Sequence, residues 1–300
     1  MLGIMYHYVR DNDVKSPNFK NLTIDKFIDQ LEYFDKKYGF VNQDVFLESI
    51  ENNTAIKEGV VLTFDDGFKD HYDNVFSILH ERGLWGFFYI PTGHYTNGKV
   101  MNVHRTHHLL GKYDVNHLLQ IVTKDIDSSM IEESRLKEFT SVYSDQNLSQ
   151  KEFQFKRLLN YYLKNEYKFS VLDSLMEDLS DESEVYRSLY LQKDEMKEME
   201  ANGMIIGSHT KTHPVLSSLS YQGQKDEIKS SYDFLQSFLS MKCKSFCYPY
   251  GGDFTYNKDT YRILEEEGVH HSFAVGNKPL DSFKNKFELF RMDCNRYLEI

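Results

Sequence analysis

GVVLTFDDG, residues 59–67, is the stretch whose reading decides the architecture of this chain. Residues 59–64 form a short, β-rich apolar run, which predicts a buried strand. The run delivers two adjacent aspartates, Asp65 and Asp66, to its C-terminal end, and Gly67 follows as a turn residue. In parallel α/β folds the carboxyl ends of the strands are where catalytic groups gather. Two neighbouring carboxylates repel, so a site that holds both needs a cation, a proton or strong hydrogen bonds. Taken alone, the stretch reads equally well as a strand closed by an Asp-Gly turn. The rest of the chain decides between the two.

Outward from this strand, apolar runs and amphipathic helices alternate. Residues 2–9 (LGIMYHYV) predict a first strand with His7 near its end. Ile24, Phe27, Ile28, Leu31, Phe34 and Tyr38 recur at helical spacing, with Gly39 as the stop. Residues 70–82 predict a second helix and 84–90 a strand closed by Pro91. From about 96 to 190 no strand pattern appears, and charged, helix-favouring residues dominate. A loop of that length is improbable in a compact domain. The expectation is an insertion of three to five helices, a lid on the catalytic face. Alternation resumes with a helix at 191–201, a strand at 204–208, a helix at 220–240, a strand at 245–248, a helix at 258–267 and strands at 269–275 and 288–292. About seven strands separated by helices predict an α/β protein with a parallel sheet or barrel, built as a single domain over residues 1–300.

Composition narrows the function. With 40% hydrophobic and 15% aromatic residues the chain is globular, and its net charge of −11, without a basic tail, argues against nucleic acid as a partner. Cys243, Cys247 and Cys294 are too few, and odd in number, for a disulfide framework. The opening residues carry no basic, apolar leader pattern, and no stretch approaches the ~18 apolar residues of a membrane span. A cytoplasmic location is expected.

The second chemical motif is SHTKTHP at 208–214. His209 and His213 are four apart, on one face if the segment is helical, and imidazole suits zinc and its neighbours. With Asp66 they complete a set of two histidines and one carboxylate that leaves room for water and substrate, as metal-assisted hydrolysis requires. TFDDG at 63–67, SHTKTHP at 208–214 and CYPYG at 247–251, in this order, resemble the first three motifs of the polysaccharide deacetylases (NodB-homology, carbohydrate esterase family 4). The resemblance covers roughly 57–95 and 191–292 and implies a distorted (β/α) barrel. It also implies Asp65 as general base, Asp66, His209 and His213 as ligands of one divalent ion (zinc first, cobalt or nickel next), and the Tyr250 backbone N–H as oxyanion donor. Pro249 would set the turn and the Tyr250 ring would line the groove.

This chain departs from the pattern in two places. The arginine that usually opens the third motif is replaced by Cys247, and Arg291 is the candidate substitute, ahead of Arg296. The usual C-terminal Leu-x-His motif is missing. Instead Met5-Tyr6-His7 resembles the opening of the subgroup that includes the poly-N-acetylglucosamine deacetylases, which implies His7 as the general acid. In the insertion, Arg105 and His108 are candidates for substrate contact. The expected function is metal-dependent removal of an N-acetyl group from an amino sugar or glycan intermediate, in surface polysaccharide synthesis. Hydrolysis of a cyclic amide or ureide, and a non-catalytic carbohydrate-binding relative, are the alternatives.

Overall fold

Seven parallel strands close into a barrel in the order in which they occur in the chain. The strands are β1 (Leu2–Tyr6), β2 (Val60–Phe64), β3 (Gly86–Ile90), β4 (Ile205–Ser208), β5 (Ser245–Cys247), β6 (His271–Val275) and β7 (Leu289–Asp293). The computed structural model describes residues 1–133, 136, 148–276 and 285–299. It divides into two compact units: Met1–Asp11, Asn21–Asn97 and Leu189–Ile300 in one, Asn12–Lys20 and Gly98–Ser188 in the other. The barrel belongs to the first.

Every residue of β2 and β3 is buried, as parallel strands covered on both faces must be. Side-chain alternation sorts them into two cores. Val60, Leu62, Phe64, Phe88 and Ile90 pack outward with helical residues such as Phe27, Leu31 and Leu235. Val61, Phe87, Tyr89, Cys247, Phe273 and Leu289 fill the interior, together with Phe46. The inward phase of β2 therefore runs Val61, Thr63, Asp65, and that of β7 runs Leu289, Arg291. Register brings these strands to the same place: β1 lies between β2 and β7, with Gly3 opposite both Val61 and Arg291. A Cβ on Gly3 would sit 3.1 Å from Arg291 Cγ, so the glycine makes room for the arginine stem inside the barrel.

Some elements differ from the sequence reading. The helix Gln43–Glu51, capped by Asn42 Oδ1 accepting from Asp44 N at 2.9 Å, was not among the expected elements, yet it supplies Phe46 to the barrel interior. The helix expected at 70–82 begins as a π-helical turn, His71–Phe76, and becomes α-helical at Ser77–Glu81.

The second unit bears out the helical insertion. Its helices include Asn102–Lys112, Val115–Asp125, Gln150–Arg157, Asn165–Leu179 and Glu182–Leu189, and Leu109, Leu118, Phe155, Leu159 and Leu172 form their shared core. The part of the insertion at 134–135 and 137–147 lies outside the described residues. Unexpectedly, 12–20 joins this unit, with Asn18 N donating to Gly111 O at 3.0 Å. No helix among the described residues is long and apolar enough to cross a membrane.

Candidate active site

The motifs leave the C-terminal ends of neighbouring strands. Asp65, Asp66 and Gly67 follow β2, His209 follows β4, Tyr248-Pro249-Tyr250 follow β5, and His7 follows β1. Ladder bonds run past the strand ends, with Asp65 N donating to Tyr6 O at 2.9 Å and His209 N to Ile90 O at 3.1 Å, so both residues leave the barrel in fixed directions.

At the centre, Asp66 Oδ1 faces two imidazoles, with His209 Nε2 at 3.7 Å and His213 Nε2 at 3.6 Å. Both separations are too long for hydrogen bonds. They match the ~3.4 Å between two ligands on an ion with bonds of ~2.1 Å at a tetrahedral angle. All three side chains are buried. His209 Nδ1 donates to the Cys247 carbonyl at 2.8 Å, which leaves Nε2 as the lone-pair nitrogen aimed at Asp66. Burial pushes the His209 ring below its ordinary pKa, against the pull of Asp65 and Asp66, so it is held neutral as a metal ligand must be. Two imidazoles and a carboxylate, desolvated and converging, fit a divalent ion.

Asp65, Cys247 and His209 form a second convergent set. Two of its members, Asp65 and Cys247, are already committed to Arg291. Arg291 Nη1 donates to Asp65 Oδ1 and Nη2 to Asp65 Oδ2, each at 2.8 Å, while Nη1 also reaches Thr63 Oγ1 and Nη2 reaches Cys247 Sγ. Arg291 is 1% exposed, and its guanidinium lies over the Tyr89 and Phe273 rings. Burial raises the Asp65 carboxyl pKa, but the Arg291 charge and hydrogen bonds prevail, with help from His209 and His7, and hold it at about 2. Burial likewise pushes the Cys247 thiol well above its usual range, so it stays protonated. A fixed cation beside Asp65 leaves Asp66 as the carboxylate for a metal.

Arg291, arriving from β7, thus bonds Asp65, and the small Cys247 on β5 leaves it space. Arg296 lies in the 3₁₀ turn Cys294–Tyr297 and is exposed.

The site is locally strained. Among the described residues, Asp66 (φ 77°), Thr210 (φ 66°), His213 (φ 58°) and Tyr250 (φ 63°) adopt the left-handed conformation, unusual outside glycine. Four such residues in three adjoining loops follow the association of backbone strain with functional sites. After Asp66 the turn needs Gly67: its φ is 62°, and a Cβ there would meet Ile90 Cδ1 at 3.0 Å.

Residues 209–214, after β4, form an irregular turn rather than a helix, so helical spacing is not what brings the two histidines together. The turn is held by its own hydroxyls and by a residue the motif reading missed. Ser208 Oγ bonds Ser231 Oγ at 2.8 Å, and His213 N donates to Thr210 Oγ1 at 3.0 Å. Glu227, on the helix Tyr221–Gln236, accepts from Lys211 N at 3.0 Å, from Thr212 N at 2.7 Å and from Thr212 Oγ1 at 2.7 Å. Nothing in the sequence marked Glu227, because it lies in the middle of an ordinary amphipathic helix.

His7 Nε2 is 4.0 Å from Asp66 Oδ2, and its side chain is 37% exposed. It therefore stands at the mouth of the site. The Tyr250 ring packs edge-on against His213, with centroids 4.8 Å apart, and Pro249 is buried beneath the turn.

Two expected residues are placed differently. Arg105 is fully buried inside the helical unit, where it pairs with Glu182 at 2.7 Å and Asp173 at 2.8 Å. It ties three helices together, which corrects the expectation of substrate contact. His108 Nε2 bonds Ser180 Oγ at 2.9 Å within the same unit, and burial pushes its ring down to about 4. It too serves the packing of that unit.

A (β/α) barrel with a convergent Asp-His-His cluster at the C-terminal ends of its strands is the architecture of a hydrolytic enzyme class. The polysaccharide deacetylase family matches residues 52–272, and the chain belongs to it. Structurally the chain is similar to the Streptococcus pyogenes deacetylase PplD, at 20% identity and TM-score 0.59, with 98% of this chain and 91% of that chain covered. It is also similar to a de-N-acetylase from Aggregatibacter actinomycetemcomitans, at 15% identity and TM-score 0.57 over 97% and 93% of the two chains. IcaB from Ammonifex degensii is 16% identical, with TM-score 0.57 over 97% and 90%. No curated protein matches the chain at a significant level.

Proposed function

We propose that this protein is a metal-dependent N-deacetylase acting on an N-acetylated amino sugar within a glycan or glycan intermediate. The observation that carries the reading is the division of labour between adjacent aspartates. Asp66 Oδ1 faces two histidine Nε2 atoms, while Asp65 is held by Arg291. Support also comes from the family and from two fold relatives, one described as a deacetylase in complex with acetate and one as a de-N-acetylase.

Asp66, His209 and His213 would hold the ion, with zinc first among the candidates from the donor set. When bound, it supplies Lewis acidity to the substrate carbonyl and acidifies water. Asp65, kept ionised by Arg291, takes the proton from the attacking water. Its Oδ1 retains a lone pair beyond the one bonded to the guanidinium. The Tyr250 backbone N–H donates to the developing oxyanion. His7, at the mouth, gives a proton to the leaving nitrogen, which an amine needs before it can depart. The Tyr250 ring and Pro249 shape the floor on which the sugar lies.

The test is metal content together with acetate release from purified protein, using a panel of N-acetylated sugars, oligosaccharides and nucleotide sugars with added zinc, cobalt or nickel. About one metal per chain with acetate from one panel member is expected. Metal without acetate from any member would favour a different acyl group or a ureide-type reaction. Absence of metal binding would sink the hydrolase reading and favour a carbohydrate-binding protein.

A further inference from the structure

Beyond β1 the chain runs extended through residues 7–10, and both of its edges are held. On one edge Tyr8 O accepts from Leu22 N at 3.0 Å, and Arg10 N donates to Leu22 O at 3.0 Å. On the other side the segment is held from the π-helical turn and the residue before it. His71 Nε2 bonds His7 O at 2.8 Å, Asn74 Nδ2 donates to Val9 O at 2.8 Å, and Arg10 Nε donates to Asp70 Oδ2 at 2.6 Å. Two side chains of one turn thus grip the backbone that carries His7, and Asp70, just before the turn, holds the Arg10 side chain. The same turn begins four residues after Gly67, so a single short segment links the Asp65-Asp66 pair to the His7 strand.

His71 is a costly choice for a purely structural position. It is fully buried among the rings of Phe64, Phe68 and Phe88, at centroid distances of 5.6, 5.6 and 5.8 Å. A carbonyl can only accept, so Nε2 carries the hydrogen and Nδ1 is a bare acceptor. That Nδ1 is buried without a hydrogen-bond partner among the described residues. A phenylalanine would fill the same space with no orphaned acceptor, and buried unsatisfied groups in native structures call for a functional explanation. Burial holds the ring down at about 4, so it stays neutral and keeps one N–H. π-helical turns inside helices also concentrate at functional sites.

We propose that His71, with Asp70 and Asn74 beside it, is the positioning residue that aims His7 at the leaving nitrogen. This rests on the reading of His7 as the general acid. The imidazole of His71 touches no substrate; it fixes the carbonyl of His7 and with it the Cα–Cβ direction of the acid. Loss of that bond lets the half-exposed His7 ring drift, and an acid must stand within hydrogen-bond reach of the atom it protonates.

The experiment compares an amide with an ester on the metal-loaded protein. An N-acetylglucosamine pentamer releases an amine and needs the acid. 4-Nitrophenyl acetate has a leaving group that departs without a proton. His71→Phe removes the donor at similar volume, and His71→Gln keeps an N–H near the Nε2 position. His71→Phe is expected to lower kcat on the pentamer about 10-fold or more, a fraction of the ~10²–10⁴ that a general acid supplies. KM, metal content and the ester rate should stay near wild type, and His71→Gln should recover most of the amide rate. Asn74→Leu, at a half-buried position, covers the case in which the phenylalanine does not fold, and should show the same selective loss in smaller degree. Equal losses on amide and ester, no loss on either, or a glutamine as poor as phenylalanine would overturn the proposal. His7→Ala separates the layers: if it harms both substrates equally, the acid assignment fails. If wild type cleaves the ester but no N-acetylated sugar, the deacetylase reading fails, and this inference with it.

Discussion

Replacing Arg291 with methionine removes the cation bonded to a buried carboxylate, and the structure sets the scale of the loss. Both Asp65 oxygens accept from the guanidinium at 2.8 Å, and Thr63 and Cys247 lose a donor as well. A carboxyl held at about 2 instead of 3.8 contributes roughly 2.5 kcal/mol at neutral pH. That figure is already net of burial. Without Arg291 the burial penalty also stands uncompensated, so about 3–5 kcal/mol is expected, the usual cost of breaking a buried ion pair. The sign of the pH response separates this from a simple packing defect. In wild type the Asp65 contribution is present above about 3.8 and disappears as pH falls through about 2. In the variant, burial raises the carboxyl, so protonation relieves the strain and acidification narrows the gap to wild type. Urea unfolding in the presence of a chelator, at pH 7 and pH 5, measures both effects. Adding Asp65→Leu to Arg291→Met should recover stability, because an apolar pair replaces a broken ionic one. A variant within about 1 kcal/mol of wild type at pH 7, or additive single and double variants, would refute the reasoning.

Other consequences are equally open to test. Asp66→Ala and His209→Ala should lose metal and activity together, whereas Asp65→Asn should keep metal and lose turnover; elemental analysis beside acetate release distinguishes them. Glu227→Gln keeps the shape but weakens the grip on the Lys211 and Thr212 amides, so metal affinity should fall about 10-fold, at the low end for residues that orient ligands. A competition titration with a chromophoric chelator would show it. Burial pushes His71 to about 4 and His271 to about 3. Both therefore favour the unfolded state as pH falls below about 6.5, at on the order of 1.4 kcal/mol per pH unit for each ring. A steep drop of the urea midpoint between pH 6.5 and 5, made shallower by His271→Gln, is the expected result; a flat profile would mean that water reaches these rings.

Residues whose role is set by neighbours in the chain were legible early. Apolar runs ending in Asp65-Asp66-Gly67 or His209 announce buried parallel strands with chemistry at their carboxyl ends, because side-chain period and turn residues are local properties. The helical character of the insertion was readable for the same reason, although its recruitment of 12–20 was not. Arg291 could only be nominated. That it reaches Asp65, and Arg296 does not, depends on barrel closure, on the β1–β7 register at Gly3, and on the space left by Cys247. Arg105 reads as a ligand-binding cation in a His-rich helix, yet Glu182 and Asp173, far along the chain, claim it for packing. Glu227 and His71 carry no motif at all; they act because a helix and a π-helical turn set them against the loops that hold His213 and His7. The sequence by itself determined the barrel, the helical insertion and the set of groups available for chemistry. Which of those groups meet, and which charge compensates which, was decided by tertiary structure, since ion pairs and hydrogen bonds depend on separations of a few ångströms between residues hundreds of positions apart.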